Sequence, residues 1–126
     1  MKLMFVTLSL GSGGVERVVS VLANSFSEQQ HDVVITLTAN HNVCYPLNDK
    51  VKIIYLEDQW NNDQVGAIRV INRIRAIRRT IKNEEPDIVI SFLSVVNMET
   101  AVALTGLNVP LIVSERNDPA IDPPES

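Results

Sequence analysis

Hydrophobic residues along this chain fall into two alternating patterns, short continuous runs and longer stretches with a repeat of three and four residues. Short apolar runs predict buried strands, and they stand at Leu3–Leu8, Val33–Thr38, Val51–Leu56, Asp87–Leu93 and Leu111–Ser114. The three-and-four repeat predicts helices, which run from Val15 to Phe26, from about Asp63 to Asn83, and from about Val96 to Thr105, where Gly106 would cap the end. Strands that alternate with helices, one of them almost wholly apolar, predict a doubly wound α/β domain with a parallel sheet.

Ligands of such sheets bind outside the carboxyl ends of the strands. This rule selects four loops as candidate sites, namely Ser9–Glu16, Thr38–Asn42, Leu93–Asn97 and Ser114–Asp118.

The first of these loops has the pattern of a phosphate-binding turn. Gly11, Gly13 and Gly14 lie between the first strand and the first helix, where glycine lets the chain turn sharply and a ligand come close to the backbone. The helix offers free N–H groups to an anion, and Glu16 and Arg17 follow in its first turn. A dinucleotide fingerprint would need a third glycine where Glu16 stands, and no Walker motif is present. A second interpretation stays open, in which the loop only joins strand to helix.

The last loop gathers polar side chains at a strand end. Arg116 has the donor geometry that binds phosphate or carboxylate, and Glu115 and Asn117 beside it are further candidates for contact with a ligand. The alternative is that Glu115 and Arg116 satisfy one another. Ser94 and Asn97 are weaker candidates, since residues of these types at a helix start are typical of capping.

The long second helix is basic although the chain is acidic overall. Its apolar arc carries Val70, Ile74, Ile77 and Ile81. The cations beside that arc predict a face toward an anionic membrane, and they are Arg69, Arg73, Arg75, Arg79 and Lys82. The competing interpretation is a crossover helix whose arginines point into water.

Composition narrows the class of protein. The 126 residues fit one domain, and a net charge of −4 argues against nucleic acid as a partner. Cys44 is the only cysteine, which excludes an internal disulfide and is compatible with a reducing compartment. His31 and His41 have no partners at metal-ligand spacing, and no apolar run reaches the ~18 residues that span a bilayer. We expect a cytoplasmic protein without a metal, peripheral at the inner membrane face.

Several of these segments together resemble the amino-terminal half of family 4 glycosyltransferases. The resemblance covers almost the whole chain and rests on the helix start from Gly11 to Val19, on Leu22-Ala23-Asn24, on His31-Asp32-Val33, on Ser91-Phe92-Leu93 and on Ser114-Glu115-Arg116-Asn117.

The resemblance implies one Rossmann-like half of a GT-B fold, incomplete here, with the acceptor-side domain at 1–116 and a proline-rich tail at 117–126 where the chain is truncated. In such enzymes a carboxyl-terminal domain, missing here, binds the nucleotide sugar, and transfer is metal-independent and retains the anomeric configuration. Gly13, Gly14, Glu16 and Arg17 would then lie near the donor diphosphate or the acceptor. Many members have a histidine where this chain has Arg116, so no catalytic residue is assigned. The resemblance leaves acceptor-side candidates only, namely Ser94, Asn97, Glu115, Arg116 and Asn117.

We therefore expect part of a glycosyltransferase that moves a sugar from a UDP- or GDP-sugar, with no further cofactor, to a lipid-linked or polysaccharide acceptor. The fragment alone should be inactive. Two alternatives stay open: a non-catalytic module that pairs with a donor-binding subunit or recruits it to the membrane, and an ordinary nucleotide-binding Rossmann domain. An open sheet edge after the fifth strand would also permit a homodimer.

Overall fold

A computed structural model describes residues 1–7, 14–38, 46–56, 66–92 and 94–114. The described residues form a five-stranded sheet in the order β3-β2-β1-β4-β5, with every neighbouring pair of strands parallel. The strands are β1 (Lys2–Thr7), β2 (Asp32–Leu37), β3 (Lys52–Tyr55), β4 (Ile88–Phe92) and β5 (Leu111–Ser114). The helices are α1 (Gly14–Glu28), α2 (Gly66–Glu84) and α3 (Ser94–Ala103). The predicted doubly wound, Rossmann-like α/β fold is confirmed.

Helices cover both faces of the sheet. The side chains of each strand point alternately to the two sides, so each strand contributes to both layers of the core. On one face Phe5 packs with Val19 and Ala23 of α1, and its ring stacks on Phe26 and Phe92 at centroid distances of 6.3 and 6.1 Å. On the other face α2 and α3 pack on the sheet through residues that include Met4, Val6, Ala76, Ile77, Ile81, Val96 and Ala103. Burial on both faces explains why the central strands are continuous apolar runs.

Most predicted elements lie within one or two residues of the observed ones. Strand β2 begins at Asp32 and ends at Leu37, one residue earlier than predicted. Helix α3 begins at Ser94 and ends at Ala103, two residues earlier than predicted at each end. A turn follows it, and Gly106 has a φ of 84°, a left-handed conformation that glycine adopts without strain. Gly106 therefore lies in the turn that follows α3, three residues after the last helical residue.

No helix in the described ranges is both long enough and apolar enough to cross a membrane.

Candidate functional site

The sheet reverses its winding direction between β1 and β4, and this is where we place the candidate site. From β1 the chain moves outward to β2 and β3, and from β4 it moves the other way to β5. Helix α1 follows β1 and helix α3 follows β4, so both helices begin at the carboxyl edge of the sheet. Ligands of doubly wound sheets bind in the crevice at this reversal. Two helix amino termini at one edge favour an anionic ligand group.

At the start of α1, Gly14 is the first helical residue and Glu16 lies in the first turn. Its carboxylate side chain is half-buried, whereas the side chain of Arg17 is exposed. A negative charge in the first turn is stabilised by the helix dipole. The predicted loop residues Gly11 and Gly13 lie outside the described residues, so their proximity to a ligand stays a prediction.

Buried hydroxyl groups lie along the carboxyl-terminal half of the central strands. Thr7, Thr36 and Thr38 are fully or almost fully buried, and their hydroxyls have no hydrogen-bond partner within the described ranges. The Thr38 N–H donates to the Thr7 carbonyl at 3.0 Å, which holds the ends of β1 and β2 together. Buried polar groups are nearly always hydrogen-bonded. Thr7 and Thr38 therefore place hydroxyl groups just beneath the carboxyl edge of the sheet.

Asn97 connects α3 to the ends of two strands. It is 5% exposed, its Oδ1 accepts a 2.5 Å hydrogen bond from the Ser91 hydroxyl of β4, and its Nδ2 donates to the Ser114 carbonyl of β5 at 3.4 Å. The position of Asn97 near the predicted helix start suggested a helix cap. The structure shows instead that its side chain bonds the strands beneath the helix. Ser94 is the first residue of α3.

Arg73 is also placed differently from the prediction. Its Nη1 lies 2.9 Å from Glu99 Oε2 of α3, and the two side chains are 17% and 1% exposed. Burial raises the pKa of Glu99, and the charge and hydrogen bond of Arg73 act in the opposite direction. Arg73 therefore belongs to the contact between α2 and α3 and does not face a membrane.

The remaining predicted cations of α2 are exposed. Arg69, Arg75, Arg79 and Lys82 all reach solvent, and Arg75, Arg79 and Lys82 line a surface depression of about 470 Å³. Two isoleucines that the sequence analysis did not single out, Ile68 and Ile71, are 58% and 53% exposed on the same helix. At ~100° per residue these isoleucines share one helix face with Arg75, Arg79 and Lys82. We call this set the outer face of α2.

Several sequence predictions fall beyond the described residues. Glu115, Arg116 and Asn117 lie outside them, so their role on the acceptor side stays a prediction. Within the described part of the chain, no group of three or more His, Cys, Asp or Glu residues is placed to hold a metal ion. Strand β5 is the outermost described strand on its side, with Ile112 and Val113 each 50% exposed. Pairing of two chains along β5 stays a prediction as well.

Two buried residues of α3, Glu99 and Thr100, were not predicted as functional candidates. No local pattern marks Thr100. A signal did exist for Glu99, since it is the only charged residue of α3.

Comparison with known proteins gives the family. Residues 12–120 match Glycosyltransferase Family 4. The chain is also 33% identical over 123 residues to a GalNAc-alpha-(1->4)-GalNAc-alpha-(1->3)-diNAcBac-PP-undecaprenol alpha-1,4-N-acetyl-D-galactosaminyltransferase from Campylobacter jejuni. That alignment covers 95% of this chain and 33% of the relative, so the chain spans about a third of the length of the curated relative it matches.

Solved structures agree on the fold. The carboxyl-terminal domain of a hydrogenase from Pyrococcus furiosus aligns with a TM-score of 0.63 at 18% identity and covers 90% of both chains. A UDP-GlcNAc 2-epimerase from Methanocaldococcus jannaschii aligns with a TM-score of 0.55 at 12% identity over 97% of this chain and 33% of the epimerase. At such identities these similarities concern the fold alone, whereas the family match extends over most of the sequence. The chain belongs to glycosyltransferase family 4.

Proposed function

We propose that this chain is the amino-terminal, acceptor-side domain of a retaining glycosyltransferase. The enzyme would move a sugar from a UDP- or GDP-sugar to a lipid-linked or growing glycan. The observation that carries the proposal is the 33% identity, across 95% of the chain, to a transferase whose name specifies an acceptor linked to undecaprenol through a diphosphate.

The carboxyl edge of the sheet has the chemistry to bind such an acceptor. The amino termini of α1 and α3 provide free N–H groups and the positive ends of two helix dipoles. Thr7 and Thr38 lie buried directly beneath the same edge, where their hydroxyls make its lining polar. A diphosphate needs hydrogen-bond donors, and sugar hydroxyls need both donors and acceptors. We infer that the acceptor lies across the ends of β1 and β4, with Glu16, Arg17 and the Gly11–Gly14 loop beside it.

The outer face of α2 supports contact with an anionic membrane at the cytoplasmic side. Helix α2 follows the carboxyl end of β3 and returns to the amino edge, where Glu84 pairs with Lys2 at 3.1 Å. Ile68 and Ile71 are therefore nearest to the site, and Arg75, Arg79 and Lys82 follow further along. Exposed apolar residues beside basic ones are typical of interfacial helices. Such docking would bring the site close to a lipid-linked acceptor.

Donor binding is assigned to a separate domain. The donor domain would supply the nucleotide-sugar site and complete the cleft, so the chain alone should bind acceptor and transfer no sugar. Under this proposal the nucleotide sugar is a co-substrate of the whole enzyme, and this chain holds no cofactor of its own.

The direct test is acceptor binding by the purified chain. We would compare a detergent-solubilised undecaprenyl-diphosphate oligosaccharide with the same oligosaccharide released from its lipid diphosphate. Binding of the diphosphate-linked form with little binding of the released glycan supports the proposal. Failure to bind either form removes the acceptor-side assignment, and equal binding of both forms removes the diphosphate from the proposed site. Binding of the chain to a donor-domain partner without acceptor recognition would instead favour a recruitment module.

A further inference from the structure

Two arginines of α2 turn away from its outer face and contact α3. Arg73 pairs with the buried Glu99, the sixth of the ten residues of α3. Arg78 lies five residues later, and its Nη1 donates to the carbonyls of Ala103 at 3.0 Å and Thr105 at 2.6 Å. The first arginine therefore holds the middle of α3, and the second satisfies carbonyls at its carboxyl end. We call Arg73, Arg78 and Glu99 the clamp.

The apolar contacts between the helices do not fix the position of α3 by themselves. Val96, Ala103 and Leu104 bury surface together with Ala76 and Ile77, but hydrophobic burial is non-directional. Charge-assisted hydrogen bonds at the middle and at the carboxyl end of the helix have defined lengths and directions. The clamp therefore sets how far α3 lies along α2.

The opposite side of α3 is tied to the candidate site. Asn97 lies two residues before Glu99 in α3, and it bonds Ser91 of β4 and the Ser114 carbonyl of β5. A shift of α3 along α2 would therefore change the hydrogen bonds at the ends of both strands. Arg73 is thus linked to Ser91 through Glu99, the backbone of α3 and Asn97.

A buried ion pair is not needed here for stability alone. Well-packed apolar residues of similar volume often stabilise a fold as much as a buried pair does, or more. Burial raises the pKa of Glu99 in spite of Arg73, so desolvation of the carboxylate outweighs the attraction. A costly pair at this place is better explained by the geometry that it imposes.

We propose that Arg73, Arg78 and Glu99 are positioning residues that fix α3 on α2 and, through Asn97, the ends of β4 and β5 at the acceptor site. The geometric claim stands on the contacts alone, and only the use of that site rests on the proposed function. The clamp couples α2, which carries the outer face, to the edge of the sheet where the acceptor would bind.

The test follows the side-chain amide of Asn97 by nuclear magnetic resonance on the labelled chain, without any substrate. The main variant is Arg73→Met with Glu99→Leu, which removes both charges together and keeps apolar volume. We expect its thermal midpoint to stay close to that of the unchanged chain, while hydrogen exchange of the Asn97 side-chain amide accelerates at least about tenfold. Arg73→Lys keeps a charged partner for Glu99 and should restore most of the protection. Lys52→Met, which removes a 2.8 Å ion pair with Glu84 at the opposite edge, is the control and should leave Asn97 unchanged.

Two results would overturn the proposal. One is an unchanged Asn97 amide in a folded double variant. The other is a uniform rise in exchange across all strands, which would mean that the clamp contributes only general stability. If the double variant does not fold, the same exchange measurement is made on Glu99→Gln and Arg78→Met. Unchanged exchange of the Asn97 side-chain amide in both variants would contradict the proposal. Because no substrate is used, failure of this test is separate from failure of acceptor binding.

Discussion

The hydroxyl of Ser91 donates a 2.5 Å hydrogen bond to Oδ1 of Asn97, and both residues are almost fully buried where β4 passes into α3. We expect Ser91→Ala to lower the free energy of unfolding by about 1–3 kcal/mol, because Asn97 Oδ1 would remain buried without this donor. Urea unfolding measures the change. Ser25→Ala, at an exposed position of α1, is the control and should stay within about 0.5 kcal/mol of the unchanged chain. Equal values for both variants would show that the Ser91 hydrogen bond contributes little.

Helix α2 offers a matched pair of isoleucines with opposite roles. Ile77 is fully buried, whereas Ile71 is 53% exposed. Ile77→Ala should cost about 2–5 kcal/mol of unfolding free energy, because it leaves a cavity under the helix. Ile71→Ala should change stability by less than about 0.5 kcal/mol and should weaken binding to anionic vesicles by roughly fivefold. If Ile71→Ala binds vesicles as tightly as the unchanged chain, Ile71 does not contact the membrane.

The basic part of the outer face predicts salt-dependent binding to anionic membranes. Replacing Arg75, Arg79 and Lys82 by glutamine should weaken partition into phosphatidylserine vesicles on the order of 100-fold, since each cation near such a surface contributes roughly 1 kcal/mol. The matched control replaces three other exposed cations, Arg17, Lys50 and Lys52, by glutamine. Equal losses in both triple variants would mean that net charge, and not this face, governs binding.

Glu99 and Glu84 should show opposite pH dependences. Burial raises the pKa of Glu99 above its ordinary value of 4.5, so its contribution to stability is present below that value and is lost as the pH rises through the raised pKa. Hydrogen bonding from Lys52, opposed by burial and aided by Lys2, lowers the pKa of Glu84 below 4.5. The contribution of Glu84 is therefore present above that value and is lost as the pH falls through the lowered pKa.

Unfolding free energies of the unchanged chain, Glu99→Gln and Glu84→Gln over roughly pH 3.5 to 7.5 separate the two effects. The difference between the unchanged chain and Glu99→Gln should decline as pH rises. The corresponding difference for Glu84→Gln should decline as pH falls. A Glu99 difference that grows with pH would show that Arg73 outweighs burial, and the sign assigned here would be wrong.

The sheet and its helices were predictable because their signals are local. The continuous apolar runs of β1 and β4 predicted that both faces of the sheet are buried. Ile77 and Ile81 lie on the predicted apolar arc of α2 and are buried in the core. The surroundings of single polar side chains were less accessible to the sequence. Arg73 looks like any other arginine of α2, and its partner Glu99 lies 26 residues further along the chain. Asn97 resembled a helix cap, and only the packing of α3 on β4 and β5 shows that it bonds the strands.

The exposed isoleucines were missed for a related reason. Ile68 and Ile71 are apolar, but the periodicity of α2 assigned the buried arc to Val70, Ile74, Ile77 and Ile81. Periodicity identifies the buried side of a helix and carries no information on why a particular exposed position is apolar. The glycine loop and the Ser114–Asp118 cluster are predictions from residue type and spacing, and ligand binding must test them.

Calorimetric titration of the purified chain with UDP, UDP-N-acetylhexosamine, GDP and NAD tests the central claim most directly. If this chain is the acceptor-side half of a family 4 glycosyltransferase, every nucleotide should bind more weakly than roughly 0.1 mM, because the donor site belongs to another domain. Submicromolar binding of any of them would mean that a complete nucleotide site exists within these 126 residues, and the acceptor-side assignment would be wrong.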